Sequence, residues 1–158
     1  MTREKFIKLL EEEQEGLMRF LLALCGGNYA DAEDLAQETA LKAYLSYNGF
    51  VERFRFSTWL YRIAYNSFID YRRKRHIDTA PIESAGSACI DDRQPQQYED
   101  LYRALEGLPP NEKAEMLLFY MEDLKIIDIA LILKKPIGTV KSYLSRGRQH
   151  LKSILSNE

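Results

Sequence analysis

Ile129-Ala130-Leu131-Ile132-Leu133-Lys134-Lys135-Pro136-Ile137-Gly138-Thr139-Val140-Lys141-Ser142-Tyr143-Leu144-Ser145-Arg146 is the stretch whose reading decides the fold. A helix-turn-helix needs a small residue where its helices cross, a tight turn, and an apolar residue in the second helix that locks the pair. Ala130, the turn from Lys134 to Pro136, and Val140 fall in that order. The second helix then projects Thr139, Lys141, Ser142, Ser145, Arg146 and Arg148, side chains suited to phosphates and to base edges in a major groove. The plain alternative is a solvated helix face. Against it stands the charge pattern: no acidic residue lies between Asp128 and Glu158, while Lys134, Lys135, Lys141, Arg146, Arg148 and Lys152 are all basic.

That local charge is hidden in the whole-chain sum. The 158 residues carry a formal charge of −2, because acids gather elsewhere, in Glu11, Glu12, Glu13 and Glu15 and again in Asp91, Asp92, Glu99 and Asp100. With 46% hydrophobic and 29% charged residues the chain is globular rather than disordered.

Working outward, Tyr98, Leu101, Leu105 and Leu108 give a helical period that stops at Pro109-Pro110 and resumes through Met116, Leu117, Phe119 and Tyr120. Ile126 to Leu133 and Gly138 to about Leu155 are the two helices of the motif. Upstream, Ile77 to Gln97 loses all periodicity to Ser, Ala, Gly, Pro and acids, which predicts a flexible linker; an ordered surface loop is the alternative. Ahead of it, Phe6, Ile7, Leu10, Leu17, Phe20, Leu21 and Leu24 predict an amphipathic helix closed by Gly26-Gly27. Asp31 is the expected N-cap of a second helix whose Ala32, Leu35, Ala36, Ala40, Ala43 and Tyr44 form a packing face, and Asn48-Gly49 ends it. After the loop Phe50 to Phe56, Ser57 is the expected cap of a third helix, which ends in Arg72-Arg73-Lys74-Arg75-His76. No strand-like alternation is present. The expected fold is all-α: two small helical domains, 1–76 and 98–158, joined by a flexible linker over 77–97, with the helix-turn-helix in the second.

Several function classes are disfavoured. Cys25 and Cys89 lack Cys or His at metal-ligand spacing, so reduced thiols are expected and no metal or cofactor is. His76 and His150 lie in basic tracts, and no glycine-rich phosphate loop is present, so no enzyme is expected. Without a signal peptide or a long apolar run, a cytoplasmic location without membrane insertion is expected.

A resemblance now becomes specific. Ile129-Ala130, Leu133, Pro136, Gly138-Thr139-Val140-Lys141-Ser142 and Leu144-Ser145-Arg146 resemble the promoter-binding helix-turn-helix of extracytoplasmic-function sigma factors, with Leu105-Glu106-Gly107-Leu108-Pro109 similar to the entry into that domain. Asp31-Ala32-Glu33-Asp34-Leu35-Ala36-Gln37-Glu38-Thr39 resembles the family's polymerase-docking helix. Phe56-Ser57-Thr58-Trp59-Leu60-Tyr61-Arg62-Ile63-Ala64-Tyr65-Asn66, followed by Asp70-Tyr71-Arg72-Arg73, resembles its promoter-melting helix.

The resemblance implies a factor that binds core RNA polymerase and promoter DNA, is monomeric when free, and is held by an anti-sigma factor. It implies polymerase contacts from Asp34, Gln37 and Glu38 with Leu35 packed beneath, and upstream-element contacts from Thr139, Lys141, Ser142, Ser145, Arg146 and Arg148. Downstream-element binding and melting fall to Phe54, Arg55, Arg62, Asn66, Arg72 and Arg73, since unstacked bases favour aromatic and amide partners beside positive charge. Trp59, Leu60, Ile63 and Phe56 share a helical face and are expected in the core rather than on bases. The chain departs from the family's pattern at Lys134, where Gly is usual and a left-handed backbone is implied, at Tyr143 for Arg and at Gly147 for Ala. Lys125 replaces the usual cap, leaving Asp123 as its substitute. The rival functions are a dimeric helix-turn-helix regulator that does not bind polymerase and a helical adaptor that binds only protein.

Overall fold

The computed structural model describes residues 1–53, 55–78 and 99–156. Every regular element among them is helical: α1 Arg3–Leu24, α2 Tyr29–Ser46, α3 Phe56–Asp78, α4 Glu99–Glu106, α5 Pro110–Met116, α6 Ile126–Leu133 and α7 Ile137–Ser156. The expected linker and Phe54 lie outside the described residues, except that α3 continues through Ile77 and Asp78.

α1 starts where Thr2 Oγ1 accepts from Lys5 N at 3.2 Å, which satisfies one of the open amides of the first turn. It stops at Gly26 and Gly27, whose φ of +64° and +88° only glycine adopts freely, and Gly27 N donates to Leu22 O at 2.9 Å. The chain then turns back into α2. Its N-cap is Asn28, whose Oδ1 accepts from Asp31 N, so Asp31 sits in the first turn rather than at the cap. There Asp31 accepts from Tyr71 Oη at 2.6 Å and pairs with Arg75 at 3.1 Å, tying the start of α2 to the far end of α3. Ser57 likewise falls inside the first turn of α3, because the helix already begins at Phe56.

Phe6, Leu17, Phe20 and Leu21 of α1, Ala32, Leu35 and Ala43 of α2, and Phe56, Leu60, Ala64 and Phe68 of α3 fill the amino-terminal core. An aromatic group closes its open end: Phe6 stacks on Tyr47 at 4.9 Å, and Phe50 packs against Trp59 at 5.2 Å. Phe56 and Leu60 are core as expected, whereas Trp59 and Ile63 are only partly buried against it.

In the carboxy-terminal half, a π-helical turn, Leu117–Met121, follows α5 and sends the chain across toward α1 before α6 begins. Lys125 is the N-cap of α6 but supplies no side-chain cap bond, and Asp123 does not replace it; Asp123 instead adopts φ +54°. Lys134 takes the left-handed conformation implied by its replacement of glycine, φ 56° and ψ 47°, which costs a non-glycine residue about 1–2 kcal/mol. Ile129, Ala130, Ile132, Val140 and Leu144 are buried where α6 and α7 cross.

The halves do not stand apart. α3 lies along α6, α1 touches α5 and the π-helical turn, and the buried side chains of both halves form one continuous cluster. Halves of this size leave much apolar surface uncovered when folded alone, so each completes its burial against the other. The two expected helical modules are present, and in this conformation they share one interface.

Candidate nucleic-acid and polymerase interface

α7 presents the first surface. At about 100° per residue, Val140, Leu144, Gly147 and Leu151 line its inner side, and Thr139, Lys141, Ser142, Ser145, Arg146 and Arg148 occupy the opposite half. All but the half-buried Thr139 are exposed. The cations straddle that half: Lys141 and Arg148 hold one flank and Arg146 the other, with the serines between them. This is a layout for gripping two phosphate backbones on either side of a groove.

The departures from the family's pattern find partners here. Tyr143 carries Lys135 Nζ over its ring at 4.6 Å and Arg146 at 5.6 Å, so its aromatic face organises two cations beside the turn. Gly147 is needed for packing: a Cβ there would meet Met116 Cγ at 2.9 Å, so α5 and α7 approach more closely than alanine permits. Arg148 Nη1 donates to Tyr120 Oη at 3.1 Å.

Under the turn lies an electrostatic anomaly. Glu115 has 0% exposure, and neither carboxyl oxygen has a hydrogen-bond partner; Lys135 Nζ, which likewise makes no hydrogen bond, pairs with it only at 3.9 Å. Burial outweighs the lysine's attraction and pushes the Glu115 carboxyl up to about 8, with Glu112 adding a like-charge push. His150, read along the chain as remote from carboxylates, meets Glu112 in the fold, Nδ1 to Oε2 at 2.7 Å.

The second surface follows α3. Arg62, Asn66 and Arg73 lie almost in line along it, with Trp59 beside them and Arg55 just ahead of its first turn. Arg72 is not part of that line. It points its guanidinium at the Phe68 ring, 5.8 Å away, toward the carboxy-terminal half, where it borders a cleft with Cys25, Asp31 and Lys113. Another cleft of about 240 Å³ opens between the line and α6, bounded by Phe50, Thr58, Trp59, Arg62 and Leu131. The Thr58 hydroxyl is buried without a partner. In the α1–α2 turn, the Cys25 thiol is pushed up to about 12 by burial and by Asp31, which leaves it protonated and unreactive near neutral pH.

The third surface is on α2. Asp34, Gln37 and Glu38 are exposed and Leu35 is buried beneath them; Glu38 pairs with Lys42 at 3.0 Å. The same face continues into Leu41, Tyr44 and Leu45, which are 57%, 45% and 74% exposed. Leu41 and Leu45 escaped the sequence reading, whereas Tyr44, assigned to the packing face, does meet the rings of Phe6 at 6.3 Å and Tyr47 at 5.9 Å. The spacing of Leu41 and Leu45 from Asp34, Glu38 and each other held the signal: an apolar extension of the acidic face that stays exposed.

Comparison with known proteins gives the family and the fold. Residues 9–76 match sigma-70 region 2, and residues 98–151 match sigma-70 region 4. The chain is 35% identical over 145 residues to the ECF RNA polymerase sigma factor SigW of Bacillus subtilis, covering 82% of this chain and 78% of that one. It is 33% identical over 159 residues to the ECF RNA polymerase sigma factor SigE of Mycolicibacterium smegmatis, covering 94% of this chain and 61% of the relative. Its fold superimposes, with a TM-score of 0.83 and 28% identity, on the sigma factor RpoE of Bartonella quintana in its complex with the anti-sigma factor NepR, covering 97% and 98% of the two chains. No helix among the described residues is long and apolar enough to cross a membrane.

Proposed function

The chain belongs to the extracytoplasmic-function sigma factors, which bind core RNA polymerase and direct it to promoters, and from that membership we propose how its surfaces divide the work. The family acts in transcription initiation without catalysing a reaction of its own, and a regulator that never meets polymerase is not favoured.

The module over 1–76 docks on polymerase through Asp34, Gln37 and Glu38, with Leu35 holding their helix in place and Leu41 and Leu45 extending the contact. Its line of Arg55, Arg62, Asn66 and Arg73 takes the downstream, minus-ten element and its melted strand. Arg72, turned away in this conformation, joins only when the halves separate. The module over 98–158 takes the upstream, minus-thirty-five element through Thr139, Lys141, Ser142, Ser145, Arg146 and Arg148. Residues 77–97 connect them. An anti-sigma factor is the expected inhibitor, by likeness to the complexed sigma factor of Bartonella quintana.

The observation that supports this division best is the solvent half of α7, where cations and serines share one side and carboxylates are absent. The test is run-off transcription from genomic fragments with reconstituted polymerase. Promoter-specific transcripts that require the added chain are expected; a chain that forms no complex with core polymerase refutes the reading.

A further inference from the structure

Within the interface that the two halves share, one buried carboxylate is held by donors from both α1 and α3. Glu122, in the segment between the π-helical turn and α6, has a side chain only 5% exposed. Its Oε2 accepts from Arg19 Nε at 2.8 Å; its Oε1 accepts from Arg19 Nη2 at 2.9 Å and from Tyr61 Oη at 2.9 Å. The donors belong to α1 and α3, and the acceptor to the other half. The arrangement is the paired fork that suits guanidinium to carboxylate, completed by a third donor.

Two features of the chain accommodate this contact. Gly16 interrupts the middle of α1, where glycine weakens a helix; a Cβ there would lie 2.6 Å from Tyr61 Oη and 2.7 Å from Glu122 Oε1. On the other side, the π-helical turn and the left-handed Asp123 form an irregular segment around Glu122. Both sides carry an unfavourable local conformation that the bridge requires.

The closed arrangement is incompatible with the work proposed above. α7 packs on α6 and α6 on α3, at interaxial distances of about 8–10 Å each, which keeps the two DNA surfaces within roughly 20 Å. Elements centred some 25 base pairs apart are separated by about 85 Å of duplex. We propose that Glu122 is an intramolecular latch: the free chain closes on itself through this carboxylate, and its release is the step that lets α3 and α7 reach separate promoter elements. The latch is built to open, because Arg19 keeps 44% of its side chain in solvent, where salt or a competing anionic surface reaches it.

The latch rests on the sigma-factor reading, and the experiment separates the two. The full chain and its Glu122→Gln, Tyr61→Phe and Gly16→Ala variants are compared by small-angle X-ray scattering and by promoter-directed transcription with core polymerase at a limiting concentration of the chain. Gly16→Ala is the decisive variant, since it improves the intrinsic helicity of α1 while wedging the bridge apart, and its circular dichroism separates opening from loss of folding. Glu122→Gln and Gly16→Ala should enlarge the radius of gyration and raise transcription at least about threefold, because less of the chain is held in the form whose DNA surfaces cannot span the promoter. Tyr61→Phe should do the same to a smaller degree. Unchanged scattering in both Glu122→Gln and Gly16→Ala overturns the latch, and expansion without increased transcription overturns its gating role. Neither outcome touches the sigma-factor reading, which stands or falls on transcription by the unaltered chain.

Discussion

The two surfaces proposed for DNA are made of similar side chains and sit in unequal circumstances. α7 turns its cations to open solvent, with its own module packed behind it. The line on α3 runs beside α6, and a cleft closed by Leu131 lies at its edge. The proposed upstream surface is complete within its own half, whereas the proposed downstream surface is flanked by the other half. A fully exposed surface can depend on charge alone; one bordered by protein must also tolerate that contact, which suits its mixture of Trp59, Asn66 and arginines.

The most severe way to break this comparison is to invert α7. Lys141→Glu with Arg146→Glu should lower promoter-directed transcription on the order of a hundredfold, since a good base or phosphate contact is worth about 1–3 kcal/mol and a reversed charge repels DNA. Polymerase binding should persist, because the proposed docking face is on α2. Loss of both together would mean that the surfaces are not independent.

Glu38→Lys sharpens it from the other side. Polymerase affinity measured by fluorescence anisotropy should fall on the order of tenfold through like-charge repulsion, with the circular dichroism melting curve unchanged apart from the lost Lys42 pair. Undiminished affinity removes that face of α2 from the docking surface.

The third test compares two buried carboxylates. Glu122 is wrapped by donors, while Glu115 has none and is pushed up to about 8. A carboxyl with a raised folded value binds its proton more tightly when folded. Its contribution to stability is therefore intact below the ordinary carboxylate range and is lost as pH rises toward 8. Glu13, raised by burial and by Glu122, acts in the same direction, while Lys113 and Lys135, lowered by burial, oppose it on the alkaline side. Denaturant melts at pH 6 and pH 8 should show the unaltered chain weakening across that interval. Glu115→Gln should weaken less, and an equal slope in both would mean that Glu115 ionises freely.

The smallest effect is expected at Gly147. Alanine would improve helicity by about 1 kcal/mol but must displace Met116, so Gly147→Ala should change stability little or reduce it. Pairing it with Met116→Ala should reveal the helicity gain; a clear increase from Gly147→Ala alone would show that the contact yields easily.

Much of this molecule was legible in its residues. Apolar spacing located the helices, since burying one face requires a period near 3.6, and Gly26-Gly27 and Pro109-Pro110 marked breaks that backbone geometry enforces. The left-handed backbone at Lys134 was readable through the resemblance alone, in which glycine is usual at that position. Caps were less legible: Asn28 and Asp31 are both capable acceptors, and only the entry angle of the chain chose between them.

What the sequence by itself determined is the set of helices, the sign of charge along α7 and the family. What tertiary structure alone decided is that Leu41 and Leu45 of α2 stay exposed, why Gly16 and Gly147 must lack side chains, and that Glu122 joins halves more than a hundred residues apart in Arg19's case. The physical reason is range: propensity and periodicity act over a few turns, whereas close packing and the desolvation of a carboxylate depend on whichever atoms the rest of the chain brings there.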